Sequence, residues 1–125
     1  MIRPLVWWLG FATSALVAGS LSLLAYVEGI PTTAAGIPQI DKVLHFTIGG
    51  MLAFFLDGLL RRRMIPARSK GRVSVPLAAM LILVPAAIEE FFQRYSPNRS
   101  SSFGDFAADV AGVALAIWFS RRVDP

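Results

Sequence analysis

Four stretches of the chain are almost wholly apolar, and short polar segments rich in glycine, proline and serine separate them. The stretches are 5–27, 43–60, 73–92 and 103–119. An α-helix needs roughly 20 apolar residues to cross about 30 Å of hydrocarbon, and each stretch comes close to that length. The pattern predicts an all-α membrane protein, with residues 1–125 forming one domain and four transmembrane helices packed in one bundle.

The first stretch has no charged residue between Leu5 and Val27. A cleaved signal peptide is the alternative to a membrane helix here, because Arg3 precedes the apolar run. The run is longer than the roughly 7–15 apolar residues of a signal peptide, and no small-residue cleavage site ends it. We therefore expect a retained first helix.

The composition supports this interpretation. Hydrophobic residues make up 55% of the chain and charged residues 16%, whereas soluble domains carry about 25% charged residues. These values exclude an ordinary soluble domain and a disordered chain. The chain has no cysteine, which excludes disulfides, thiolate nucleophiles and cysteine-based zinc sites.

The basic residues indicate an orientation. Every charged residue in 61–72 is basic, and Arg3, Arg121 and Arg122 fall on the same side of a four-helix chain. Cytoplasmic loops carry the excess of Lys and Arg, so this side and both termini are predicted to be cytoplasmic. The net charge of +4 is thereby attributed to membrane orientation, and no nucleic-acid partner is predicted.

Polar residues gather at the opposite, outer ends of the second, third and fourth helices. They are Asp41, Lys42, His45, Glu90, Gln93, Arg99, Asp105 and Asp109. Within each helix, residues three or four apart share one face. Ionisable groups near hydrocarbon are costly and normally turn inward to pair or to line a wet site. We therefore expect one polar site at the outer face.

Two acidic residues are placed elsewhere. Asp57 lies four residues before Arg61 and is predicted to form an ion pair at the cytoplasmic boundary. Glu89 is expected to point about 100° away from Glu90 around the helix. It is not assigned to the site.

These motifs resemble those of the VanZ-like family of small bacterial membrane proteins. In that family an Asp-Lys-x-x-His-Phe element opens one span, as Asp41–Phe46 does here, and a Glu-x-x-Gln element closes the next. Arg follows six residues later and Asp six later again. Gln93, Arg99 and Asp105 keep both intervals. The family often has Asn four residues after that Asp, where this chain has Asp109.

The resemblance covers residues 40–116 and leaves the first helix without a motif. It implies a multi-pass protein of the bacterial inner membrane and cell envelope. It also implies a link to antibiotic resistance, because one branch of the family is associated with tolerance of the glycopeptide teicoplanin.

The site residues suggest recognition or processing of an anionic membrane lipid headgroup, for example a lipid-linked phosphate. Arg99 would bind the phosphate bidentately, and Lys42 would add a second positive charge. The other predicted binding residues are Asp41, Gln93, Asp105 and Asp109.

If the protein is an enzyme, His45 and Glu90 are the candidate catalytic residues. They could divide acid and base work, with Asp41 or Asp105 orienting the imidazole. The alternative is a non-enzymatic binding or assembly protein in which the polar residues are structural.

A divalent metal held by His45 and nearby carboxylates is chemically permissible. One histidine without a tight ligand motif argues against it. We predict no metal site and no cofactor.

Overall fold

The structure, a computed structural model, describes residues 2–27, 39–66, 73–97 and 102–124. Within these ranges the chain forms four helices and one two-stranded sheet. The elements are α1 (Pro4–Val27), α2 (Ile40–Leu59), β1 (Met64–Ile65), β2 (Val75–Pro76), α3 (Leu77–Gln93) and α4 (Phe103–Val123). The predicted all-α class is confirmed. Helices α1, α2 and α4 are long and apolar enough to cross a membrane, as expected of a multi-pass membrane protein.

Helix α3 begins later than the apolar pattern predicts, at Leu77 and not at residue 73. Residues Val75–Pro76 instead pair antiparallel with Met64–Ile65. Pro76 explains the boundary, because proline disfavours a helical residue before it and has no N–H to donate within a helix. The helix therefore has 17 residues and is about 25 Å long at 1.5 Å per residue.

Helices α2 and α4 make the most extensive helix contact of the described structure. Glycines permit this contact. A Cβ on Gly50 would lie 3.1 Å from the carbonyl oxygen of Gly112, and a Cβ on Gly112 would collide with the backbone carbonyl of Phe46. Small residues let helix backbones approach closely in membranes. The buried core beside this crossing is made of Ala53, Ala78, Val113 and Ile117.

Helix α1 packs on α2 near its own start. The indole of Trp7 is buried, with ring centroids 5.3 Å from Phe54 and 6.2 Å from Phe55. Most other apolar side chains of α1, such as Leu16, are exposed. This is the distribution expected where lipid tails cover the helix.

The end of the bundle where α4 finishes has its own polar network. Asp57 is fully buried. Its carboxylate accepts hydrogen bonds from Nη2 and Nε of Arg121, at 3.0 Å and 3.2 Å, and from Oγ of Ser120 at 2.9 Å. The prediction that Asp57 pairs with Arg61 is wrong for the described residues. Helix α2 ends at Leu59, and Arg61 has a left-handed backbone with φ of 50°, so it no longer follows the helical four-residue spacing.

Candidate functional site

Six of the eight predicted outer residues converge where α2 begins, α3 ends and α4 begins. We call the side chains that meet there the polar cluster, which consists of Asp41, Lys42, His45, Glu90, Asp105 and Asp109. Asp105 and Asp109 are buried, and the other members are half-buried. The sequence-based prediction that three helices contribute to one polar site is therefore supported by the arrangement of these side chains.

His45 pairs with Asp109 across the contact between α2 and α4. Its Nδ1 lies 3.0 Å from Oδ2 of Asp109. Because a carboxylate only accepts hydrogen bonds, Nδ1 carries the proton in this pair. Gly49 makes room for it, since a Cβ there would lie 3.0 Å from Oδ1 of Asp109.

The orienting partner of His45 was expected to be Asp41 or Asp105, and among the described residues it is Asp109. Asp41 lies one turn earlier on the same helix and instead contacts Lys42. The close approach of α2 and α4 at their glycines explains this pairing, because it brings Asp109 directly opposite the imidazole.

Lys42 joins two carboxylates. Its Nζ lies 3.5 Å from Oδ2 of Asp41 and 3.5 Å from Oδ1 of Asp105. The stem of Lys42 passes over Gly104, where a Cβ would lie 2.8 Å from the lysine Cε. A larger residue at Gly104 would therefore require the lysine stem to shift.

Glu90 links the end of α3 to the start of α4. Its Oε1 accepts a hydrogen bond from the backbone N–H of Ser102. Ser102 caps α4, because its Oγ accepts a 3.1 Å hydrogen bond from the backbone N–H of Gly104. This contact holds Glu90 beside the cluster. One donor atom each from Glu90, His45 and Asp105 lie within 4.8 Å of one another.

Gln93 is 1% exposed, and the hydrogen bond shown for it leads away from the polar cluster. Its Nε2 donates to Oε1 of Glu89 at 3.3 Å, and Oγ of Ser22 in α1 donates to the same oxygen at 2.6 Å. Glu89, which the sequence does not assign to the polar site, therefore connects α3 to α1. The four-residue interval between Glu89 and Gln93 is the sequence feature that could have revealed this pairing.

Arg99, the predicted phosphate ligand, lies outside the described residues. Within the described ranges the polar cluster contains four carboxylates, one lysine and one histidine. Its acidic excess distinguishes it from a simple anion site, in which cations would predominate.

Comparison of the chain with protein-family models, with curated proteins and with solved structures finds no match. The chemistry of the site is therefore argued from its own geometry. That geometry offers an ammonium group, a carboxylate-bound imidazole and a second carboxylate within reach of the imidazole. Such a set can bind a charged ligand, and it places two titratable groups, His45 and Glu90, within 4.8 Å of each other.

Proposed function

We propose that the protein is a VanZ-like multi-pass protein of the bacterial inner membrane whose polar cluster binds an anionic lipid headgroup at the outer face. The observation that supports this most strongly is the convergence of Lys42, His45 and Glu90 at one end of a bundle of mostly apolar helices. Ionisable groups in such positions usually mark a functional site. Through the family resemblance, the proposal includes an effect on teicoplanin tolerance.

The proposed membrane placement has four spans, which are α3 and the three long apolar helices α1, α2 and α4. Both termini then lie in the cytoplasm. The contacts of α3 with both α2 and α4 support this, because they pack it beside two helices that are long enough to span. The basic segment 61–72 follows the opposite end of α2 from the polar cluster. The positive-inside rule then directs the cluster outward.

A groove gives the lipid proposal a second support. It has a volume of about 530 Å³ and runs between α2 and α4. Its lining residues lie between Phe46 and Phe55 in α2 and between Gly112 and Phe119 in α4, and all of them except Thr47 are apolar. Phe46 directly follows His45. An acyl chain lying in the groove would place its headgroup beside Lys42, where the ammonium could contact a phosphate oxygen.

The same arrangement would allow a bound headgroup to be processed. His45 and Glu90 would then serve as the acid and base, and Asp109 would hold the imidazole in one tautomer. Single-turnover assays would measure conversion of the bound lipid by wild type and by Glu90→Gln. Equal conversion by both proteins would exclude this role of Glu90.

The binding experiment uses delipidated protein in detergent, titrated with phosphatidylglycerol or phosphatidylcholine and examined by native mass spectrometry. The test variant is Lys42→Gln. Its matched control is Arg94→Gln, which removes a positive charge from the same end of the bundle, where the exposed Arg94 contacts Phe91 outside the cluster. We expect one saturable phosphatidylglycerol in wild type and Arg94→Gln, and about tenfold weaker binding in Lys42→Gln, equivalent to about 1.4 kcal/mol.

A structural role of the cluster is the second candidate, and the pairs Lys42–Asp105 and His45–Asp109 favour it because both join α2 to α4. Under this alternative, Lys42→Gln lowers the melting temperature in detergent while both lipids bind equally and unselectively to all three proteins. That combination of results would contradict the headgroup proposal.

A further inference from the structure

The fold brings together three side chains whose donor atoms suit a metal ion. A ring nitrogen of His45, a carboxylate oxygen of Glu90 and one of Asp105 lie within 4.8 Å of one another. Ligand atoms around one cation lie about 2.0–2.6 Å from it and hence within about 5 Å of each other. A single ion between the three side chains could contact all of them after small side-chain rotations.

The carboxylate of Asp105 gives a second indication, from its burial and hydrogen bonding. The residue is 2% exposed, and in the part of the chain that the structure describes its Oδ1 has no hydrogen-bond partner. The ammonium of Lys42, at 3.5 Å, is beyond the usual length of a charged hydrogen bond. Buried polar atoms nearly always have a hydrogen-bond partner, and a metal ion beside this oxygen would provide a closer contact than the 3.5 Å ion pair with Lys42.

His45 shares one feature with metal-binding histidines, a carboxylate partner on one ring nitrogen. Its Nδ1 is occupied by Asp109, so the lone pair available for coordination is on Nε2. Histidine ligands commonly donate their second ring N–H to a carboxylate, which fixes the tautomer and makes the ligating nitrogen more basic. Asp109 provides that contact from the neighbouring helix.

The charge balance also favours a cation. Among the described residues of the cluster, four carboxylates face one lysine and one histidine, and two of those carboxylates are buried. An excess of one charge away from water is costly. A divalent cation would offset two of the negative charges.

We infer that the polar cluster binds one divalent transition-metal ion of the zinc or manganese type through His45, Glu90 and Asp105. The mixture of one imidazole nitrogen and two carboxylate oxygens suits these ions better than an all-oxygen calcium or magnesium site. The sequence predicts no metal, because no two of these ligands are close enough in the chain to form a recognised motif. If the proposed function holds, the ion would also contribute the positive charge that an anionic headgroup requires.

The test uses full-length protein without a histidine tag, stripped with a chelator and titrated with Mn²⁺ while electron paramagnetic resonance reports the free ion. Competition of Zn²⁺ with a chromophoric chelator gives a second affinity. We expect one equivalent of metal in wild type and at least tenfold weaker binding in Glu90→Gln and Asp105→Asn. Glu89→Gln is the matched control, because it removes the adjacent charge while its amide oxygen can still accept from Ser22.

Absence of a stoichiometric Mn²⁺ or Zn²⁺ site in folded wild-type protein would overturn the inference, whatever the variants do. So would equal affinities of wild type, Glu90→Gln and Asp105→Asn. Native mass spectrometry with phosphatidylglycerol, repeated in chelator, separates this inference from the proposed function. Metal binding without selective lipid binding would support the metal site and contradict the headgroup proposal. Selective lipid binding without metal binding would contradict only the metal site.

Discussion

Nδ1 of His45 and Oδ2 of Asp109 lie 3.0 Å apart, and this contact joins α2 to α4 inside the polar cluster. It fixes the imidazole tautomer, because the carboxylate can only accept and Nδ1 must donate. Both the proposed acid–base role and the proposed metal site depend on it, since each needs a free lone pair on Nε2.

The tautomer can be measured directly, because His45 is the only histidine of the chain. In protein labelled with ¹⁵N-histidine, at a pH where the imidazole is neutral, we expect NMR to show Nδ1 protonated and Nε2 unprotonated. Asp109→Asn should produce a mixture of tautomers, because an amide can donate as well as accept.

Asp41→Asn is the matched control for this measurement. It makes the same charge change in the same cluster, but the contact of Asp41 is with Lys42. A tautomer that changes in Asp41→Asn and stays fixed in Asp109→Asn would contradict the assigned pairing.

The alternation of apolar and polar segments was sufficient to predict most of the fold. It predicted α1, α2 and α4 to within a few residues of their observed ends, because a membrane helix is mainly a matter of length and apolar composition. It placed the start of α3 too early. Val73 is apolar like the helix that follows, and hydropathy does not report the strand pairing of Val75–Pro76 with Met64–Ile65.

Six of the eight predicted site residues meet in the polar cluster, whereas Gln93 contacts Glu89 and Arg99 lies outside the described residues. The pairing of His45 with Asp109 was not predicted. Helical spacing tells which residues of one helix share a face, and it correctly grouped Asp105 with Asp109. It cannot tell which turn of α4 meets which turn of α2. That register depends on close backbone contact at Gly50 and Gly112, which places Asp109 beside His45.

The helix crossing itself gives a stability prediction. Gly112→Ala should lower the free energy of unfolding in detergent by about 1–3 kcal/mol, the usual cost of inserting atoms into a packed contact, because the new methyl would meet the Phe46 carbonyl. Gly19→Ala, in α1 with nothing within 4 Å of the new atom, should be neutral or stabilising by up to about 1 kcal/mol. Denaturation of both variants with mixed micelles measures the difference, and equal effects would argue against a close α2–α4 crossing.

The ion pair at the other end of the bundle should be costly to break. Arg121→Met leaves the carboxylate of Asp57 buried without its guanidinium, and loss of one partner of a buried pair costs about 3–5 kcal/mol. We expect the lower end of this range, because the arginine side chain is 30% exposed. The same micelle denaturation series measures it.

Arg122→Met is the control for that change. Arg122 lies over the ring of Trp118, 4.3 Å from its centroid, and an exposed cation–π contact contributes only about 0.5–1 kcal/mol. A loss in Arg121→Met no larger than in Arg122→Met would mean that the Asp57 network does little to hold α2 and α4 together.

Whether α3 crosses the membrane can be tested by labelling, since the chain contains no cysteine and single cysteines can be introduced at exposed positions on either side of it. Val73 and Tyr95 are 85% and 75% exposed. In right-side-out spheroplasts, a membrane-impermeant maleimide should label Tyr95→Cys at once and Val73→Cys only after lysis. The pair Phe103→Cys and Val123→Cys does the same for α4, which meets the length of a span on its own, and should give an outer and an inner label. If the two positions flanking α3 are labelled from the same side while those flanking α4 are not, α3 does not cross the bilayer. The chain would then have three spans, and the two termini would lie on opposite faces of the membrane.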